Sequence, residues 1–250
     1  MIKENGGDMS NVSTFGYSDI GGRPTNEDHG GVYVYTDKII AVAADGLGGE
    51  GGGDIASLIA LEELSCCGAE GGLPDRERIL SCFQNANEKI LKRQQNGVPM
   101  KTTAVYLCIY KDHAVWAHIG DSRLYHFYRG RLRDFTLDHS VSQMAVLMEE
   151  IERKDIPKHP GRSRLLKALG CAQEETEPQI SEPVLLEAGS HAFLLCTDGF
   201  WEYLEEDEIT EALLHTRTAE EWVNRLRGCI MERCSREHDN NTAMAVIVEI

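Results

Sequence analysis

Hydrophobic and polar positions along the first half of the chain fall into short blocks that read as strands. Residues 12–19 form a first strand, which Gly21-Gly22-Arg23-Pro24 breaks into a polar loop carrying Asn26-Glu27-Asp28. Residues 32–36 and 38–44 follow as two strands separated by a tight polar turn at Asp37, the pattern of an antiparallel hairpin rather than a βαβ unit. Ile39 to Ala44 are six small or β-branched apolar residues in a row, which suits a strand buried on both faces. That run stops at Asp45-Gly46-Leu47-Gly48-Gly49, a carboxylate followed by glycines that let a ligand approach the main chain closely.

The period then changes. Ile55, Leu58, Ile59 and Leu64 fall near helical spacing, and Ile79, Phe83, Ala86 and Ile90 mark a second helix that Pro74-Asp75 opens. Strand-like runs return at 102–110, 113–119, 122–128 and 131–135. From Ser140 to about Glu150 the pattern is helical; beyond it the chain becomes irregular and basic. The last third holds a strand at 191–197, a short helix at 206–214 and a final strand at 243–248. Between them lies a helix with the capping-box spacing Thr218-Ala-Glu-Glu221 and an apolar face of Trp222, Leu226, Cys229 and Ile230. Helices laid against antiparallel sheets give an α+β class with sandwich character.

The 250 residues suffice for a full core, and no linker or fixed-period repeat divides them, so one domain over 1–250 is expected, with 1–10 as a flexible terminus. A formal charge of -16 argues against nucleic acid or anionic membrane as partner, because both require a basic face. No apolar run approaches the roughly 20 residues that span a bilayer, and no signal-peptide layout opens the chain, so a cytoplasmic location is expected. The eight cysteines lack the spacing of a secreted disulfide framework or of a thiolate zinc site and read as free thiols.

Candidate chemistry comes from acids at the ends of apolar runs. Asp121 follows 114–120, Asp198-Gly199 follows 191–197, and Asp239-Asn240 precedes 243–248. Carboxylates without cysteines or a histidine-rich set favour a hard cation, magnesium or manganese, which serves hydrolysis or phosphoryl transfer. The sequence has no Gly-Lys-Ser/Thr phosphate loop, no Cys followed six positions on by Arg, no Asp-x-Asp and no His-Glu-x-x-His, which closes the competing phosphate and zinc chemistries.

Arg23-Pro-Thr-Asn-Glu27-Asp28, Ala44-Asp45-Gly46-Leu47-Gly48-Gly49, Gly120-Asp121-Ser122-Arg123, Thr197-Asp198-Gly199 and Asp239-Asn240 stand in order along nearly the whole chain. Together they resemble the motifs of the metal-dependent serine/threonine protein phosphatases of the 2C class, in particular the bacterial members. The resemblance implies an antiparallel β-sandwich of two sheets flanked by helices on both sides, with two Mn2+ or Mg2+ ions in a cleft at one end. By it Asp45 would bridge both ions, Glu27 and the Gly46 carbonyl would serve one, and Asp198 and Asp239 the other. Asp121 with Asp198 would hold a weaker third ion, Asp28 and Asn240 would orient ligands and waters, and Arg23 would take the substrate phosphate. The implied reaction is hydrolysis of phosphoserine and phosphothreonine in proteins by direct attack of a metal-bridging water, the partner being a serine/threonine kinase's substrates.

The sequence departs from the family at Leu47, where many eukaryotic members carry a histidine that protonates the leaving oxygen. His118 and His139 lie near motifs but read as structural, leaving a metal-held water as candidate donor. Residues of about 140–178 resemble the flap of bacterial members; Arg153, Lys154, Lys158, Arg162, Arg164 and Lys167 face a single acid, Asp155, in the basic part. That excess predicts either a contact for an anionic substrate or a solvated surface. Two other readings share these residues: the same chemistry on a small phosphoester, and a phosphoprotein-binding module without turnover.

Overall fold

Residues 11–48, 52–69, 71–94, 99–172 and 176–250 are described in the structure, a computed structural model; the expected flexible terminus at 1–10, and Gly49, lie outside the described residues. Strands β1 (Val12–Asp19), β2 (Asp28–Val34) and β3 (Lys38–Leu47) precede helices α1 (Gly53–Ser65) and α2 (Arg76–Gln94). A two-residue β4 (Lys101–Thr102) leads into β5 (Ala104–Tyr110), β6 (His113–Ile119), β7 (Arg123–Tyr128) and β8 (Arg131–Phe135). Helix α3 (Val141–Leu147) and a 3-10 turn (Arg153–Lys158) come next, and the chain rejoins the sheets through β9 (Gln179–Ile180) and β10 (Val184–Leu185). Strand β11 (Ser190–Cys196), helices α4 (Asp198–Trp201), α5 (Glu206–Leu214) and α6 (Ala219–Arg233), and strand β12 (Asn241–Glu249) complete it.

Two antiparallel sheets result, one in the order β1-β12-β11-β7-β8 and the other β10-β6-β5-β3-β2, with β4 paired to β3 and β9 to β6. The two-residue alternation of each strand distributes its side chains between layers. From β3, Ile39, Ala41 and Ala43 enter the core between the sheets with Leu107, Phe193, Leu195 and Val246. Ile40, Val42 and Ala44 face the other way, onto Ala56, Leu64 and Phe83 of α1 and α2. On the opposite flank Leu194 and Cys196 of β11 pack with Trp222, Leu226 and Ile230 of α6. The unbroken apolar run of β3 is thus the signature of a strand covered by a sheet on one face and helices on the other. Each large side chain so buried contributes roughly 1.5–3 kcal/mol. The α+β sandwich read from the sequence is the architecture found.

Boundaries differ where partners outside the local sequence decide them. The expected strand 38–44 continues to Leu47, because β4 pairs with its end (Gly46 opposite Thr102, Leu47 opposite Lys101). The strand expected at 32–36 begins at Asp28, in register with Asp45. Asp198 is not a strand-end residue but the first residue of α4. At α6, Thr218 Oγ1 accepts from Glu221 N at 3.1 Å, yet the Glu221 carboxylate accepts from Arg217 N rather than closing the box on Thr218. All eight cysteines are free.

Residues 139–172 lie against the body of the sandwich. The Thr102 and Leu169 backbones bond reciprocally at 3.1 and 2.9 Å, and the Asn87 side chain accepts from Gly170 N at 2.6 Å. Ser140 caps α3 by accepting from Gln143 N and pairs with Leu165 as an isolated bridge.

Candidate metal centre

Antiparallel pairing of β2 with β3 sets Asp28 directly opposite Asp45. Like charges as cross-strand partners repel, and here Asp28 is not free to turn to bulk water. Asp28 is buried, accepts from Thr197 Oγ1 through Oδ2 at 2.8 Å, and its Oδ1 has no hydrogen-bond partner among the described residues. Burial, with Asp198 and Asp239 adding to it, pushes the Asp28 carboxyl up to about 7. Asp45 is enclosed by protein while keeping a little surface open to the cleft; burial first, then the charges of Asp198, Asp28, Asp121 and Asp239, hold its carboxyl well above the usual carboxylate range. Asp121 is raised in the same direction by burial and by Asp198.

The backbone that carries these acids is clamped. Asp45 N donates to Thr103 Oγ1 at 3.0 Å, and Asp45 O accepts from Thr103 N at 2.9 Å and Thr102 Oγ1 at 2.8 Å. Gly46 N donates to Glu27 O at 3.1 Å, and a Cβ at Gly46 would lie 2.2 Å from Gly53 O, so glycine is the one residue that lets this strand meet α1 so closely. The Asn240 side chain accepts from Glu27 N at 2.8 Å and donates to Ile20 O and Thr25 O at 2.7 and 3.0 Å, which fixes the loop holding Arg23 and Glu27. Asn240 therefore acts on main chain. A Cβ at Gly199 would lie 2.1 Å from Asn240 O, which seats α4 against the start of β12.

The structure brings Glu27, Asp28, Asp45, Asp121, Asp198 and Asp239 to this one end of the sandwich, as neighbours whose charges act on one another. Among the described residues no three of them stand close enough to form a ligand cage as they are placed. Two are drawn to arginines instead. Arg23 Nη2 donates to Asp239 Oδ2 at 2.7 Å, and Arg162 Nη1 donates to Asp198 Oδ2 at 3.0 Å while pairing with Glu202 at 2.7 Å. The donors suit a hard divalent cation: an all-oxygen set, acids raised by burial and then by mutual repulsion, an orphaned carboxylate oxygen, and backbone cradled so that only glycine fits. Arg23, expected at the phosphate, is exposed at the rim of this cluster and reaches it through Asp239.

Several participants carry no signal in a single sequence. Thr102, Thr103 and Thr197 look like ordinary β-branched residues; burial raises the Glu27 carboxyl and Asp54, in the first turn of α1, adds to it from a distance set by the fold. Glu202 and Arg162 are indistinguishable by sequence from the charged residues around them. Arg123 forms a buried bidentate pair with Asp138, both bonds 2.8 Å, and stacks over the Trp201 ring at 3.4 Å. His118 and His139 stack 4.6 Å apart; His118 Nε2 donates to Leu137 O, His139 Nδ1 accepts from Gly120 N, and burial pushes His139 down to about 3 and lowers His118 as well. Both are neutral structural histidines at ordinary pH. The expected basic surface is partly neutralised: Arg153 pairs with Glu206 at 2.6 Å, Lys154 with Glu152 at 2.5 Å, and Arg162 with Asp198 and Glu202. A cavity of about 330 Å3 beside Glu202 and Trp201 is lined by Lys154, Lys158 and Glu205 among others. No helix among the described residues is long and apolar enough to cross a membrane.

The chain is similar to known proteins in sequence and in fold. The sequence model of the family described as Protein phosphatase 2C matches residues 15–237. The serine/threonine phosphatase stp of Listeria innocua is 34% identical over 210 residues, covering 80% of this chain and 81% of that one. The Streptococcus agalactiae serine/threonine phosphatase has a similar fold, with a TM-score of 0.82 at 24% identity over 96% of this chain and 100% of that one. The catalytic domain of the serine/threonine protein phosphatase PstP, solved in complex with two manganese ions, superposes with a TM-score of 0.81 at 25% identity over 96% and 99%.

Proposed function

Because this chain belongs to the protein phosphatase 2C family, as a bacterial-type protein serine/threonine phosphatase that depends on divalent metal, we propose that it hydrolyses phosphoserine and phosphothreonine in proteins without a phosphoenzyme, at the acid cluster around Asp45. The carrying observation is Asp45 itself, a cross-strand partner of Asp28 that also feels Asp198, Asp121 and Asp239. Mn2+ or Mg2+ would be held by Asp45, Glu27 and the Gly46 carbonyl on one side and by Asp45, Asp198 and Asp239 on the other. When bound, such a pair supplies an activated water and neutralises the phosphate's charge.

The chain's own groups do the rest. Thr102 and Thr103 hold the Asp45 backbone, so its carboxylate needs little reorganisation. Thr197 and Asp28 form a buried support beneath Asp45, while Asn240 fixes the Glu27 loop. Arg23, on that same loop and more than half exposed, is placed to exchange Asp239 for the phosphate of an incoming substrate, to which its planar fork offers two hydrogen bonds. The neutral His118 and His139 do not protonate the leaving oxygen. The cavity beside Glu202 has room for residues flanking a phosphorylated side chain, which favours a protein over a small phosphoester. Substrates of a serine/threonine kinase in the cytoplasm, and hence a signalling role, complete this reading.

The test is phosphate release from phosphothreonine peptides with and without Mn2+. Chelation should abolish turnover and Mn2+ should restore it; full activity after exhaustive chelation and dialysis would overturn the assignment of this cluster as the metal centre.

A further inference from the structure

Two carboxylates meet the end of one arginine, and the charge of a third acts on it. Arg162 Nη1 lies 3.0 Å from Asp198 Oδ2 and 2.7 Å from Glu202 Oε2, and all three side chains are at least about four-fifths shielded from solvent (exposures 21%, 16% and 13%). The third acid is Asp121, buried next to Asp198, and the charges of Arg162 and Asp121 act on each other. Asp121 and Asp198 are the two residues that the family resemblance assigns to a weaker third ion. The corner that would hold it already faces a cation carried on the chain.

The position of that cation is not an accident of a long side chain. Arg164 O accepts from Val141 N at 2.9 Å and Leu166 N donates to His139 O at 2.8 Å, while His139 N donates in turn to Gly120 O at 2.8 Å. Gly120, the residue before Asp121, and the loop bearing Arg162 are therefore tied to the same short segment. A guanidinium brings one positive charge where a divalent ion would bring two, but its Nη1 meets two carboxylates at once and it need not be recruited from solution.

We propose that the Arg162 guanidinium is the resident cation of the corner formed by Asp121, Asp198 and Glu202, standing in place of a third divalent ion, so that the protein takes up two Mn2+ ions rather than three. The inference rests on the cluster around Asp45 being the metal centre. Removing a positive charge that lies 3.0 Å from Asp198 and 2.7 Å from Glu202 strengthens their hold on another cation by about tenfold or more, even at a generous effective dielectric constant.

The experiment is Mn2+ stoichiometry by native mass spectrometry and isothermal titration on the full chain, for the parent, Arg162→Gln, Arg162→Lys and the double variant Arg162→Gln/Asp121→Asn, with thermal melts to confirm that each folds. The parent and Arg162→Lys should bind two equivalents. Arg162→Gln should bind a third at least about tenfold more tightly than the parent does, and the double variant should lose it. A third equivalent in the parent with affinity equal to that in Arg162→Gln would overturn the proposal, as would two equivalents in both, or a third equivalent that survives in the double variant. Absence of Mn2+ binding in the parent would instead sink the metal-centre assignment beneath it, and a variant that fails to fold is replaced by Arg162→Met under the same criteria.

Discussion

At the residue scale the site is a set of acids held against their own repulsion. A carboxyl raised this far by burial and like charge is a cost to the metal-free fold and a gain to cation binding. Asp45→Asn should therefore raise the melting temperature of the chelated protein while lowering kcat by more than about a hundredfold, beyond what loss of a supporting group gives. Melts and steady-state kinetics on the same preparation check both halves; activity within tenfold of the parent would remove Asp45 from the centre. Arg23→Ala should act differently, raising KM with a smaller loss of kcat, because the side chain is exposed and bonds only Asp239 among the described residues. Thr197→Val deletes the hydrogen bond to Asp28 Oδ2 and leaves a buried carboxyl with less support, at about 1–3 kcal/mol. Urea unfolding of the metal-loaded protein measures it.

At the element scale, the pairing of β4 with the end of β3 decides where the acids sit. A free strand end would leave Asp45 in a turn; the bonds from Thr102 and Thr103 keep it extended and opposite Asp28. Gly46→Ala should disrupt this juncture, since the added methyl meets the Gly53 carbonyl at 2.2 Å and the Glu27 carbonyl at 2.5 Å, both backbone atoms with nowhere to move. The expected outcome is loss of Mn2+ affinity along with stability, read by titration calorimetry and melting. Helix α6 provides the contrast. Thr218→Ala removes the cap to Glu221 N and should cost about 1 kcal/mol with kcat/KM unchanged, because that helix packs on the far flank of β11 and β12.

On the scale of the whole molecule, two sets of buried groups set the pH dependence with opposite sign. His126, pushed down to about 4, and His139, pushed down to about 3, stay neutral in the fold while the unfolded chain protonates below about 6.5. Their contribution is present above pH 6.5 and is lost as pH falls. Asp28, pushed up to about 7, and Asp45 and Asp121, held well above the usual carboxylate range, keep protons that the unfolded chain releases above about 4. There the folded state binds more protons, so stability falls as pH rises, by about 1.4 kcal/mol per pH unit for each such group. Between about 4 and 6.5 the two sets oppose each other; above 6.5 the histidines are neutral in both states and only the acids act. Chelated protein should accordingly lose stability as pH rises from 6.5 through about 7 in urea titrations, and saturating Mn2+, which needs the carboxylates ionised, should remove that loss. Rising stability of the chelated protein over this window would contradict the raised carboxyls.

Much of this protein is legible in local pattern. The alternation in β1, the unbroken apolar run of β3 and the three-to-four spacing in α2 and α6 depend on neighbours within a few residues, so they yield the elements and the sandwich class without a structure. The five acid-bearing motifs likewise marked which side chains belong together. What the sequence could not settle are quantities set by contacts between distant segments. Strand β3 runs on through Asp45 because β4, more than fifty residues later, pairs with it; Asp28 faces Asp45 because of hairpin register; and Asp198 opens a helix because Gly199 packs against Asn240. Charge is the clearest case. Six basic residues after Ser140 look alike in the chain, yet the fold sends Arg153 to Glu206 and Arg162 to Asp198 and Glu202, turning two apparent surface charges into half-buried counter-ions. A side chain's partners follow from where the backbone of another element ends, and that is decided only when the sheets and helices have packed.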